Sequence, residues 1–218
     1  MTVLVTGFGP FGTEVVNPSG QVAESLAGTE LSGERVEGVV LPVSTGRVAT
    51  LVVEALERFR PRLVLTLGLA AGRSAPALER VAINVRDFPI PDVDGEQPGG
   101  GPVVESGPDA YLTDLPIKAV LGAWIDQQIP GYISNTAGTY LCNQVFYLAS
   151  HHGRIHRTRV GLIHLPSTPE AAAVSHRSGE RPVPTMDLGL LERAVRLAVQ
   201  VSLRHEGTDI GLPAGSLC

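Results

Sequence analysis

Short apolar runs rich in valine, leucine and isoleucine alternate along this chain with longer segments in which apolar residues recur every three or four positions. The short runs predict β-strands, and the longer segments predict amphipathic helices. We expect strands at Val3–Thr6, Val36–Leu41, Leu63–Leu67, Arg80–Asn84, Tyr132–Ser134 and Val160–His164. The alternation predicts an α/β fold with a central, mostly parallel or mixed sheet that carries helices on both faces.

The clearest helix begins after Ser44 and Thr45 and stops before Pro61. Its apolar positions fall on one face of a helix of 3.6 residues per turn. They are Val48, Leu51, Val52, Ala55, Leu56 and Phe59. Further helices are expected after Asn17-Pro18-Ser19, with proline at the first turn, and over Pro116–Gln128, Thr139–His151 and Asp187–His205.

One segment, Arg86–Pro108, breaks this rhythm because it is rich in proline and glycine. Such a composition cannot hold a helix, and a loop of this length in a compact domain usually has a function. We therefore expect a loop that is mobile without ligand and closes over it. With no repeat, linker or composition change elsewhere, residues 1–218 are expected to form a single domain.

Composition and charge exclude several classes of function. The net charge is −5, and the basic residues are scattered, so the sequence predicts neither a nucleic-acid partner nor attachment to a membrane surface. No apolar run is long enough for a membrane span, and the first residues predict a strand and no signal peptide. The two cysteines, Cys142 and Cys218, cannot form a disulfide framework, which favours a cytoplasmic protein.

The first strand ends in Gly7-Phe8-Gly9-Pro10-Phe11-Gly12, which matches the spacing of a dinucleotide-binding loop. Three features count against that interpretation. Pro10 delays the helix, the two phenylalanines occupy positions where phosphate meets bare backbone, and the second strand ends without an acidic residue for a ribose. An NAD(P)-binding oxidoreductase stays the alternative. Two other interpretations of this segment remain. One is a tight turn with buried phenylalanines, and the other is a loop that presents Phe8 and Phe11 to an apolar ligand.

Cys142 follows a small-residue turn and lies where a helix is expected to begin. Unpaired N–H groups and the helix dipole favour a thiolate there, and the same N–H groups could stabilise an oxyanion. His164 ends an apolar strand, where a sheet delivers side chains to its active edge. Together they predict an activated thiol, although a buried, inert cysteine remains possible on sequence grounds.

Glu79 is the candidate for a third member, because a carboxylate would orient and stabilise the imidazole of His164. A surface ion pair with Arg80 explains the same residue equally well. The other histidines lie near helix ends or in loops, where solvated or C-capping roles are expected, and no metal site is predicted. They are His151, His152, His156, His176 and His205.

At these residues the chain resembles the pyroglutamyl peptidase I family of cysteine peptidases. The first matching segment is Thr6–Gly12 with Asn17-Pro18-Ser19, and the second is Gly72-Arg73 with Glu79–Asn84. The third is Ser134–Asn143 and the fourth Ile163–Pro166. The segments occur in the family's order and span most of the chain.

The resemblance implies an exopeptidase that hydrolyses N-terminal pyroglutamate (5-oxoproline) from peptides through an acyl-enzyme on Cys142. It makes His164 the base and then the acid, and Glu79 the orienting carboxylate. It also implies a homotetramer and requires no metal or organic cofactor. The side chains expected to grip the pyroglutamyl ring are Phe8, Phe11, Ile90, Tyr140 and Leu141. A non-catalytic protein that binds lactams or peptides is the remaining alternative.

Three departures from the family's pattern concern fine tuning. Gly9 stands where the family usually has a carboxylate, and Pro89 stands where it has an arginine thought to assist near the site. Arg86 is the only candidate to replace that arginine. The interval from Cys142 to His164 is also about two residues short, a difference that we assign to the turn at residues 154–157.

Overall fold

The computed structural model describes residues 2–12, 15–176 and 183–215. Its strands, in chain order, are β1 (Thr2–Phe8), β2 (Glu30–Leu31), β3 (Glu34–Leu41), β4 (Leu63–Leu69), β5 (Ala77–Glu79), β6 (Val81–Ile83), β7 (Ala110–Leu112), β8 (Tyr132–Ser134) and β9 (Arg159–Leu165). The α-helices are α1 (Pro18–Leu26), α2 (Thr45–Phe59), α3 (Ile117–Asp126), α4 (Leu141–Gly153), α5 (Pro169–His176) and α6 (Leu188–Arg204). A single 3₁₀ turn, Arg154–His156, follows α4.

The main sheet has the strand order β2-β3-β1-β4-β9-β5-β8. Strands β3, β1, β4 and β9 run parallel, whereas β5 runs antiparallel to β9 and parallel to β8. Strand β2 forms an antiparallel edge on β3, and β6 and β7 form a separate two-stranded sheet. The predicted α/β fold with a mostly parallel, mixed sheet is confirmed.

Apolar side chains cover both faces of the sheet. One face packs against α1, α3 and α6, and Trp124 at its centre is fully buried and donates from Nε1 to the Ala194 carbonyl. The other face packs against α2 and α4. Successive side chains of a strand point to opposite faces. Phe8 therefore lies on this second face, as do positions 68 and 164 near the ends of β4 and β9. The functional residues described below lie on this α4 side.

The predicted strand at Arg80–Asn84 was only partly right. The backbone stays in the main sheet through Glu79, and then leaves it at Arg80 to pair with β7 through Val81–Ile83. Arg80 itself donates its N–H to Ser134 and accepts from Thr113, which links the two sheets. The short elements β2, β5, β7 and α5 were not predicted, because two to eight residues hold too little periodicity to be recognised.

Helix α1 lies unusually close to β1 and β3. A Cβ atom on Gly7 would lie 2.0 Å from the Ser19 carbonyl oxygen, and one on Gly20 would lie 2.4 Å from that of Phe8. Only glycine permits this approach. Asn17 caps the helix through Ser19 N–H, and the Ser19 hydroxyl accepts from the Phe8 N–H.

The Arg86–Pro108 segment lacks regular secondary structure apart from one bridge between Asp87 and Gly99. It is nonetheless attached to the body of the protein. The buried carboxylate of Asp92 accepts from the N–H of Thr45 at the start of α2, at 2.7 Å, and Val93 N–H donates to Val43. The expected mobility of this loop without ligand stays a prediction. Within the described ranges, no helix has both the length and the apolar character needed to cross a membrane.

Candidate active site

Cys142 is the second residue of α4, as the sequence predicted for the first turn of a helix. Helix α4 starts at Leu141, two residues later than predicted, because Tyr140 before it is extended. Tyr140 contributes no side-chain cap. Cys142 is half-buried and lines a cavity at the carboxyl edge of the parallel strands. Because Cys142 forms part of a cavity wall, it is not in the position of a fully buried, inert core cysteine.

The two residues after Cys142 fix the start of α4 on its neighbours. The amide of Asn143 accepts from the N–H of Ile83 and donates to the carbonyls of Ile83 and Val85. The Gln144 amide donates to the carbonyl of Thr45 and accepts from its hydroxyl. Because both amides are buried, these bonds determine the position of the cysteine sulfur relative to the sheet.

His164 lies near the end of β9, directly beside Gly68 on β4. A Cβ atom on Gly68 would lie 2.5 Å from the Cys142 sulfur and 3.1 Å from Nε2 of His164. The sulfur and the ring nitrogen therefore converge on the space that a side chain at position 68 would fill. The absence of that side chain allows the thiol and the imidazole to meet.

Glu79 is completely buried at the end of β5, and its Oε1 atom lies 2.8 Å from Nδ1 of His164. The same oxygen accepts from Nη1 of Arg73 at 2.7 Å. Arg80, by contrast, donates from Nε to Asn135. The alternative of a surface ion pair between Glu79 and Arg80 is therefore wrong, since the buried carboxylate turns inward to His164 and Arg73.

Burial and pairing act in opposite directions on the two buried groups. Burial alone would raise the pKa of Glu79, but hydrogen bonding and the charge of His164, aided by Ser134 and Arg73, hold that pKa below its ordinary value. Burial would likewise lower the pKa of His164, but interactions with Cys142 and Glu79 raise it to about 9. The imidazole thus favours its protonated form between a carboxylate and the cysteine sulfur.

A cavity of about 100 Å³ opens beside the Cys142 sulfur, which is room for one small ring. The cavity is lined by Phe8, Phe11, Asn17, Val43, Leu69, Tyr140, Leu141 and Cys142. Four of the side chains predicted to hold a substrate are among them. The fifth, Ile90, is 49% exposed and does not line the cavity, so the structure does not bring it to the site.

Sequence reasoning missed Asn17, Val43 and Leu69. Val43 and Leu69 lie at or just after the ends of β3 and β4, and the carboxyl ends of neighbouring parallel strands form one edge. That rule, applied to every strand, would have found both. Asn17 was recognised as a helix start, but not as a wall of the cavity.

Of the other five histidines, three have hydrogen-bond or ion-pair partners, and His152 has a ring contact with His151. His151 bonds the Tyr111 hydroxyl, His156 lies 3.1 Å from Glu57, and His205 contacts the Thr208 carbonyl. The side chain of His176 and the whole of Cys218 lie outside the described residues. Among the described residues, no three His, Cys, Asp or Glu side chains cluster in a way that could hold a metal ion.

The turn Gly7–Gly12 is already bonded within the protein. The N–H of Phe8 donates to the Ser19 hydroxyl, and that of Gly9 donates to the Leu41 carbonyl. A dinucleotide loop needs such N–H groups for phosphate. Arg86 does not take the place of the family's arginine beside Cys142, because its Nε donates to the Pro102 carbonyl in the loop.

Comparison with known proteins identifies the family of this chain. The sequence profile of pyroglutamyl peptidases matches residues 1–205. The pyrrolidone-carboxylate peptidase of Vibrio campbellii is 44% identical over 216 residues, which are 99% of each chain. That of Pyrococcus furiosus is 40% identical and covers 94% of this chain and 99% of its own. A crystal structure of the P. furiosus pyrrolidone carboxyl peptidase superimposes with a TM-score of 0.90 over 93% of this chain and 98% of that one.

Fold and site together define a class of protein: a cysteine peptidase of α/β fold, with its cysteine at the start of a helix and a buried histidine–carboxylate pair. Within that class, the chain belongs to the pyroglutamyl peptidase family. It is a cysteine peptidase that removes pyroglutamate from the N-termini of peptides. The predicted family and activity are confirmed, and neither the NAD(P)-binding alternative nor a non-catalytic binding protein is favoured.

The space beside Gly68 makes a specific prediction. We expect Gly68→Ala to reduce kcat/KM for a pyroglutamyl anilide by about 10²-fold or more, because the added methyl group displaces the sulfur or the imidazole from reactive geometry. Gly46→Ala is the matched control, since position 46 is exposed in α2 and no atom lies within 4 Å of an added Cβ. Equal activity of the two variants, with both folded by circular dichroism, would contradict the prediction.

Proposed function

We propose that Cys142 is the nucleophile, His164 the base and then the acid, and Glu79 the group that orients and stabilises the imidazole. The observation that carries this proposal is the buried chain of contacts from Glu79 through His164 to Cys142. The three groups come from α4, β9 and β5, and each is held by a different part of the fold. An activated thiol requires such a base, oriented by a third group.

The first half of the reaction forms an acyl-enzyme. The Cys142 sulfur, whose proton has passed to Nε2 of His164, attacks the carbonyl carbon that joins pyroglutamate to the next residue. As the tetrahedral intermediate collapses, the C–N bond breaks and His164 gives its proton to the leaving amine. The shortened peptide departs, and pyroglutamate remains bound to the sulfur as a thioester.

The second half reverses the role of His164. Its now neutral Nε2 accepts a proton from water as the water oxygen attacks the thioester carbonyl. When the C–S bond breaks, His164 returns the proton to the sulfur, and free pyroglutamate leaves. Throughout, the carboxylate of Glu79 keeps Nδ1 of the ring protonated and directed inward.

The start of α4 supports the charge that develops on the substrate. The negative oxygen of the tetrahedral intermediate requires N–H donors that are already in place. The first turn of a helix provides such donors, and α4 has no side-chain cap that would occupy them. Cys142 lies in this turn, so the oxyanion forms close to these N–H groups.

The cavity beside Cys142 suits the neutral lactam ring of pyroglutamate. Its walls are mostly apolar, and the amide of Asn17 is already bonded to Gly9 and Ser19. Van der Waals contact with Phe8, Phe11 and Leu141 would hold the ring. Polar recognition of the lactam then depends on backbone groups, since few free polar side chains line this space.

The wider setting of the enzyme is part of the same proposal. We expect residues 1–218 to act as one catalytic domain without a metal or organic cofactor, on peptides with N-terminal pyroglutamate. We also expect a cytoplasmic homotetramer without a nucleic-acid or membrane partner. The family to which the chain belongs and the net charge of −5 support these expectations.

The experiment that tests the nucleophile compares the two cysteines. Cys142→Ala should lose nearly all hydrolysis of a pyroglutamyl anilide, because the proposed thioester forms on its sulfur. Cys218→Ala should keep wild-type activity, because Cys218 has no part in the proposed chemistry and lies beyond residues 1–205, which match the family. Equal losses in the two variants would contradict the assignment.

Glu79→Gln tests the third member. The substitution keeps the shape of the side chain but removes its charge, so we expect kcat to fall by about 10²-fold or more with little change in KM. Glu57→Gln provides a matched control, because Glu57 forms an exposed pair with His156 at 3.1 Å, away from the cavity. If the Glu79 variant is as active as the Glu57 variant, the proposed role of Glu79 is wrong.

The cavity walls predict a difference between two apolar residues. Phe11→Ala should raise KM for a pyroglutamyl anilide by about tenfold, because a wall of the cavity is removed. Ile90→Ala should leave KM within about twofold of wild type, because Ile90 is exposed and lies outside the cavity. Steady-state kinetics would measure both, and a larger effect at Ile90 would show that the loop closes over bound substrate.

A further inference from the structure

The carboxylate of Glu79 binds two cationic groups through one oxygen. Its Oε1 atom lies 2.8 Å from Nδ1 of His164 and 2.7 Å from Nη1 of Arg73. Glu79 is completely buried, so bulk water screens these two contacts much less than it would at the surface. Whatever Arg73 does to this oxygen is therefore transmitted to the imidazole.

Arg73 reaches this oxygen from outside the cavity. Its backbone N–H bonds the Ala70 carbonyl in the turn after β4, and the preceding residue, Gly72, has a φ of 92°, which favours glycine. The side chain of Arg73 is three-quarters buried, and its guanidinium carbon lies 5.9 Å from the centre of the Tyr132 ring. Arg73 does not line the cavity, so it is not placed to contact the substrate.

We propose that Arg73 is a positioning residue that fixes the Glu79 carboxylate and limits the basicity of His164. This role rests on the function proposed above for Glu79 and His164. Arg73 and His164 share Oε1, and the bond from Arg73 restricts rotation of the carboxylate away from Nδ1. Its positive charge also opposes the build-up of positive charge on the imidazole.

The charged groups around His164 set the sign of the effect. Glu79 faces the ring from β5 and Cys142 faces it from α4, while β4 presents only Gly68. Arg73 is the cation behind the carboxylate. The charge of His164 itself lowers the pKa of Glu79 more than Arg73 does, so Glu79 stays ionised when Arg73 is removed. What His164 then loses is a neighbouring positive charge, and its pKa rises further.

A higher pKa has two consequences for the reaction. The alkaline limb of the rate profile, which reports loss of the imidazolium proton, moves to higher pH. The imidazolium also becomes a weaker acid toward the leaving amine, so kcat falls. An arginine that only stabilised the fold would lower the melting temperature and leave this limb unchanged.

The test compares Arg73→Met, which removes the charge, with Arg73→Lys, which keeps it. Arg35→Met is the control, because Arg35 forms an exposed 2.8 Å pair with Glu37 at the amino end of β3. For each protein we would measure kcat and KM from pH 5 to 11, thermal unfolding, and the titration of the His164 ring by NMR in the resting protein.

We expect Arg73→Met to lower kcat about tenfold, to leave KM unchanged, and to shift the alkaline limb upward by about 0.5–1 pH unit. Arg73→Lys should restore the position of the limb and part of kcat, and Arg35→Met should match the wild type. If neither the rate limb nor the NMR titration of His164 moves in Arg73→Met, the proposal is overturned, whatever the loss of stability. If the NMR titration of His164 shifts but the rate limb does not, Arg73 lowers the pKa of His164 as proposed, and the catalytic role proposed for His164 is wrong.

Discussion

The buried hydrogen bond between Glu79 and His164 is the constraint on which the rest of the site depends. A carboxylate without access to water is costly unless cationic groups and hydrogen bonds compensate it, and breaking such a pair typically costs about 3–5 kcal/mol. The fold therefore has to supply partners on several sides at once. His164, Arg73 and Ser134 come from β9, a turn after β4, and β8. The pair consequently ties the strands around it to one arrangement.

The geometry of the sheet explains how three distant segments reach this pair. Parallel strands end at one edge, which places His164 beside Gly68 and below the start of α4. Strand β5 runs the other way, with Glu79 opposite Leu162, two residues further from that edge than His164. The carboxylate can thus lie behind the imidazole inside the protein, while the sulfur faces the cavity.

Much of this arrangement could be predicted from the sequence. The strands of the parallel core have strong apolar runs, and a cysteine at a helix start and a histidine at a strand end indicate their chemistry locally. The choice between Arg80 and His164 as the partner of Glu79 could not be made, because it depends on the break at Arg80 and on the direction of β5. The position of Ile90 was also beyond reach, since an irregular loop has no period from which to infer orientation.

The position of β5 between β9 and β8, antiparallel to β9, also affects how the active site forms during folding. Glu79 pairs with strands that lie some 55 and 85 residues further along the chain, so its environment depends on contacts of high sequence separation. Such contacts form late, because the intervening chain must first be ordered. A nascent or partly unfolded chain has the thiol but not its buried partners. Peptide cleavage is thereby reserved for molecules that have completed folding.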